Sequence, residues 1–108
     1  MKDKVFTVLA KHFSSFTKYC WLPISAKYLS ETVELPYRKC LELLHQLRDE
    51  GVVKVERVRF YDDYTEEYYF ASGWVITDFG KQTEIYKNEE KNTNDYLDSL
   101  YNDELGGM

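Results

Sequence analysis

Apolar residues recur at two periods along this chain, and the change of period divides it into elements. In DKVFTVLAKHFSSF, Val5, Phe6, Leu9, Phe13 and Phe16 stand three and four apart. That spacing predicts a helix over about residues 3–15, with Asp3 favouring its N-terminus. TKYCWLP follows, aromatic and ending in Pro23, and reads as an extended connector or short strand. In ISAKYLSETVELP, Ser25 is suited to cap a short helix that opens with Ala26, Tyr28 and Leu29 and reaches about Thr32. Leu35 is pushed out of helical geometry by the proline after it, and Pro36 fits the first turn of the next helix. In PYRKCLELLHQLRDEGVV, Cys40, Leu43, Leu44 and Leu47 form one helical stripe, and Gly51 stands where a C-cap glycine belongs.

From residue 52 the period becomes two. VVKVERVRF places Val53 and Val55 on one face of a strand, and Val58 and Phe60 take up the alternation out of phase. A bulge at residues 56 and 57 would account for the slip. YDDYTEE is the turn of a hairpin and YYFASGWVIT its return strand, with Tyr68, Phe70, Trp74 and Ile76 on one face and Gly73 allowing a close backbone approach. TDFGKQTEIYKNEEKN returns to a helical pattern, with Thr77 as N-cap, Phe79, Thr83 and Tyr86 as its apolar side, and an end near Asn92. TNDYLDSLYNDEL reads as a last short helix with Tyr96, Leu97, Leu100 and Tyr101 as its contacts, before a frayed GGM. The division expected is a domain over residues 1–92 and a helical extension with a frayed tail over residues 93–108.

The order helix, short helix, tight turn, helix, glycine, strand, acidic turn, strand, helix resembles the winged helix-turn-helix family. ISAKYLSETVELPYRKCLELLHQLRDEGVV is similar to that family's helix-turn-helix run, with a Ser opening the second helix and an acidic tract, Gly and two apolar residues closing the third. VITDFGKQ resembles the segment after the wing in MarR- and PadR-like transcriptional regulators. The likeness extends over about residues 1–88. It implies an α+β, mainly α fold: a three-helix core, a two-stranded wing and C-terminal helices. It also implies duplex DNA as partner, bound by a homodimer on a two-fold site. The helix over residues 37–50 would enter the major groove, and the hairpin tip would lie over the backbone or minor groove. The first and last helices would build the dimer.

On that reading the start of the recognition helix carries the contacts. Arg38 can grip guanine through two hydrogen bonds or bind a phosphate, and Lys39 can neutralise a phosphate. Tyr37 and a protonated His45 can donate to phosphate oxygens. Leu41 can touch a thymine methyl, and Glu42 can accept from cytosine. Lys18, Ser25 and Lys27 would sit beside the backbone, and Lys54, Arg57 and Arg59 would supply cations on the strand. The bland alternative is that exposed Arg and Lys form a solvated face, and Leu41 and Glu42 suit a protein partner equally well.

Charge complicates this picture. The net charge is −5, yet residues 1–60 hold 11 Lys and Arg against 7 Asp and Glu, whereas residues 61–108 hold 3 against 12. The hairpin tip carries Asp62, Asp63, Glu66 and Glu67 with no cation between them. Carboxylates repel phosphates, and duplex affinity comes largely from counterion release by Lys and Arg. A second reading therefore stands beside the first: a protein-interaction module whose acidic tip and C-terminal half bind a basic partner, as an inhibitor from a phage or mobile element would. Tyr61, Tyr64, Tyr68, Tyr69 and Phe70 cluster around the hairpin. Stacking of single-stranded bases on them, beside Arg57 and Arg59, is the lesser alternative; they are expected to pair across strands and pack the hairpin onto helices.

Other chemistry finds little footing. Cys20 and Cys40 lack a CxxC partner and read as buried or half-buried free thiols. His12 and His45 have no ligand set nearby, the acidic loop lacks the order of a calcium loop, and no nucleophile elbow or phosphate loop is present. Neither an enzyme nor a cofactor is expected. No apolar run is long enough to span a membrane, and MKDKVFTVLAKHF is too charged for a signal peptide, so a cytoplasmic protein is expected.

Overall fold

The chain adopts an α+β, mainly helical architecture in this computed structural model, which describes residues 1–15 and 19–106, with side chains described through Leu100. Helices α1 (Lys2–Ser14), α2 (Ala26–Val33) and α3 (Tyr37–Asp49) precede strands β1 (Val53–Asp62) and β2 (Glu67–Ile76). A 3-10 turn (Gly80–Gln82) leads into α4 (Glu84–Gly106). No helix among the described residues is long and apolar enough to cross a membrane. Phe16 and Lys18 lie outside the described residues, as does the side chain of Tyr101.

The core forms where the helical stripes meet. Val5, Phe6, Leu9 and Ala10 of α1 close on Leu29 and Val33 of α2 and on Cys40, Leu43, Leu44 and Leu47 of α3, all buried. Phe13 is half-buried against them. Ser25 caps α2 as expected: its Oγ accepts the Tyr28 N–H at 3.1 Å. The turn between α2 and α3 is made by Glu34 in the left-handed region, φ 58°. There the Leu35 N–H reaches back to the Ser30 carbonyl and the Glu34 N–H to the Glu31 carbonyl, satisfying two helix-end acceptors. Pro36 is the N-cap of α3 rather than part of its first turn; with φ −56° and ψ 143° it keeps an extended backbone while its carbonyl accepts from the Cys40 N–H. α3 ends in the same bond pattern, with Gly51 at φ 82° where a β-carbon would be strained.

The hairpin corrects the sequence reading in one respect. β1 and β2 pair without interruption from Val53 opposite Ile76 to Asp62 opposite Glu67, so there is no bulge at residues 56 and 57. The break in the apolar pattern has another cause: Val55 leaves the core and stands in solvent, while the opposite face gains partial cover from Tyr19 and Trp21. Gly73 meets its expectation. Ile24 forms a single antiparallel bridge with Trp74, and a β-carbon at Gly73 would overlap the Ile24 carbonyl.

Two further expectations change after the hairpin. Thr77 does not cap a long helix. Its Oγ1 donates to the Gly51 carbonyl at 2.6 Å and accepts the Gly80 N–H at 3.0 Å, fastening the strand exit to the end of α3. Thr83 stands directly before α4 and accepts the Tyr86 N–H instead. The two C-terminal helices are one, running unbroken through Asn92 and Thr93. Asn and Thr there are poor helix formers, but neither is a breaker of the Gly or Pro kind.

Candidate nucleic-acid interface

The first turn of α3 faces outward because its stripe of Cys40, Leu43, Leu44 and Leu47 is committed to the core. Tyr37, Arg38 and Lys39 are exposed there, at the helix end where unsatisfied N–H groups favour an anion. Arg38 makes no ion pair among the described residues. Lys39 Nζ stands 4.0 Å from Glu42, an exposed i,i+3 pair that leaves the ammonium open to solvent. Ser25 and Lys27 are exposed at the start of α2.

Leu41 and His45 sit differently from what was expected of them. Leu41 is half-buried and packs against the core. His45 is half-buried and meets the Trp74 ring edge-on, centroids 5.7 Å apart. This contact gives His45 a positional role, since Arg38 and His45 are seven apart and share one face of α3. That face therefore runs directly into the base of the hairpin, where Trp74 is only 5% exposed.

Pairing register then decides what the hairpin offers. One face carries Val55, Arg57, Arg59 and Tyr61 from β1 and Tyr68, Phe70, Ser72 and Trp74 from β2. The other carries Lys54, Glu56, Val58, Phe60 and Asp62 with Glu67, Tyr69, Ala71 and Val75. Both arginines thus share a face with no strand carboxylate, while the three strand carboxylates point the other way. Lys54 does not belong with Arg57 and Arg59. It lies 4.0 Å from Glu56 on the acidic face, beside an open cleft of about 270 Å³ that also involves Cys20, Trp21 and Lys81.

The arginines are held by rings. The Arg57 guanidinium carbon lies 4.3 Å from the Phe70 centroid, and that of Arg59 lies 4.0 Å from Tyr68. Tyr61 meets Tyr68 edge-on at 5.1 Å. The expectation that these aromatics pack the hairpin onto the helices fails for this face. Phe70 and Tyr68 are each 61% exposed and Val55 58%. Cross-strand pairing is present; burial is not. Beyond the base, where Trp74 is buried against His45, packing onto the rest of the molecule falls to the opposite face, where Phe60 contacts Tyr19 and Trp21.

At the tip, the Tyr64 N–H donates to Asp62 Oδ1 at 2.8 Å, and Glu66 takes a left-handed conformation, φ 56°. Tyr64 itself stands almost wholly in solvent. Asp62 and Glu67 are the last pair of the ladder and share the acidic face.

The sequence places Tyr68, Phe70 and Trp74 on one face and Arg57 and Arg59 beside the aromatic cluster; the pairing register adds that the two arginines share that face. The signal was available: a hairpin centred on the acidic turn and paired without a bulge puts those arginines opposite Ser72 and Phe70. No protein-family model matches the chain, and no curated protein shows similarity to it.

Proposed function

We propose that this protein is a winged helix-turn-helix regulator that binds duplex DNA in a sequence-specific manner, with α3 as the recognition helix and the β1–β2 hairpin as the wing. The observation that carries this reading is a hairpin face with Arg57 and Arg59 and no strand carboxylate, joined through the His45–Trp74 contact to the helix that exposes Arg38 and Lys39, with Glu42 the one carboxylate between Arg38 and His45 on that helix. The acidic tip had counted against DNA; the strand acids Glu56, Asp62 and Glu67 point away from this surface. Arg38 and Tyr37 would address base edges or phosphates at the major groove, and Lys39, Ser25 and Lys27 the flanking backbone.

The Arg38→Ala plus Lys39→Ala variant tests the helix as reader. Selection from random duplexes supplies the site. The variant should lose binding to it by a factor of about 10 or more, at roughly 1–3 kcal/mol for a bidentate base contact, with an unchanged melting temperature. Unaltered affinity would reject α3 as the reading element.

The same segregation of charge favours a second reading, a protein-interaction module. Its docking surface would be the acidic face and tip, with Glu56, Asp62, Asp63, Glu66 and Glu67 binding a basic protein. Replacing the five by Gln and Asn separates the two: loss of a protein complex with DNA binding retained supports the second reading.

A further inference from the structure

We infer that the arginine face of the hairpin is a stacking platform for unpaired bases, so that the protein also takes single-stranded nucleic acid through Arg57, Arg59, Tyr68 and Phe70. The inference rests on the nucleic-acid reading for the class of partner and on nothing in α3.

Three observations combine. The face has two cations and no strand carboxylate, which selects a polyanion. Each guanidinium carbon lies over a ring, at 4.3 and 4.0 Å, and both arginines are exposed, so planar cations and rings stand side by side for phosphate and base. Phe70, Tyr68 and Val55 are nevertheless more than half exposed, even with Arg57, Arg59 and Tyr61 against the two rings. The arginines serve paired and unpaired strands alike. The rings distinguish the two. A duplex shows a protein its sugar-phosphate backbone and base edges, because its base faces are stacked on one another. An unpaired strand presents base faces, and aromatic or guanidinium planes take them with little regard to sequence. Exposed apolar rings beside arginines therefore match the second ligand better than the first.

The test compares an oligothymidylate of about 12 nucleotides, inside the roughly 4–16 nucleotide range of single-strand sites, with a duplex of equal length. Fluorescence anisotropy on the full chain should show binding of the single strand. The Tyr68→Ala plus Phe70→Ala variant should weaken it about tenfold or more while changing duplex affinity far less. Both residues are exposed, and a melting curve verifies the fold. Arg57→Lys plus Arg59→Lys keeps the charge and removes the planar groups; it too should weaken the single strand more than the duplex. Arg38→Ala plus Lys39→Ala should leave the single strand bound, so a failure of the duplex reading is seen separately. The inference is overturned if the wild-type protein does not retain the oligothymidylate at low salt. Ring deletion that leaves the single strand bound, or that weakens the duplex equally, overturns it as well.

Discussion

His12 is the residue whose protonation reports most directly on the fold. Its Nε2–H donates to the Leu22 carbonyl at 3.0 Å and ties α1 to the connector before α2, with the ring edge-on to Phe13. Burial lowers its pKa from the ordinary 6.5, against a smaller upward push from the Leu22 hydrogen bond. The unfolded chain therefore takes up a proton near pH 6.5 that the folded chain resists. Stability from this group is complete above that pH and is lost as pH falls through the depressed folded value. Melting temperature followed from pH 7.5 to 5 should drop, and His12→Gln should flatten the His12 part of that slope; an equal slope in both would assign it elsewhere. Burial also pushes the Cys40 thiol up, consistent with a packing role for that cysteine. Its burial was legible from the stripe it shares with Leu43, Leu44 and Leu47. The roles of Leu41 and His45 were not, because a residue at the edge of a stripe is assigned by whatever the next element brings against it. Here that was Trp74.

Among the elements, the α2–α3 turn shows a residue at odds with its backbone. Glu34 occupies the left-handed region at φ 58°, which costs an L-residue about 1–2 kcal/mol, and the adjoining bond pattern is one that glycine commonly completes. Glu34→Gly should raise stability by about 0.5–1 kcal/mol in urea unfolding, part of the relief being returned as entropy of the unfolded chain. A destabilised variant would mean that the Glu34 side chain contributes more than its backbone costs. The three core helices and the hairpin were readable because their periods are long and their caps explicit: Ser25, Pro36 and Gly51. The hairpin's phase was misread for a physical reason. Burial of Val53 and exposure of Val55 place the edge of the core inside β1, so hydrophobicity stops marking a face there. Only pairing register carries the alternation further. The unbroken α4 was missed because weak helix formers near residue 92 resemble an end.

At the scale of the molecule, two surfaces carry predictions. One bears Arg38 and Lys39 at the start of α3 and Arg57 and Arg59 on the hairpin; the other is the outer part of α4. Tyr96, Leu97 and Leu100 are exposed at helical spacing there, while α4 packs on α1 and Ile85 and Tyr86 near its start join the core. If that stripe holds two copies together, as a two-fold DNA site requires, light scattering should give twice the chain mass. Leu97→Asp plus Leu100→Asp should then give the single mass with the core melt retained. A wild-type monomer would remove α4 from the binding model without touching the cationic surface.

That surface is reached most directly by the salt dependence of duplex binding. Between about 50 and 200 mM salt, affinity should fall linearly on logarithmic axes. Arg38→Gln, Lys39→Gln, Arg57→Gln and Arg59→Gln should each shallow the slope by roughly one unit where the cation meets a phosphate. Asp62→Asn plus Glu67→Gln, on the far face, should leave the slope unchanged. A wild-type protein that is not retained on duplex DNA at low salt, or a slope indifferent to all four cations, would contradict the account.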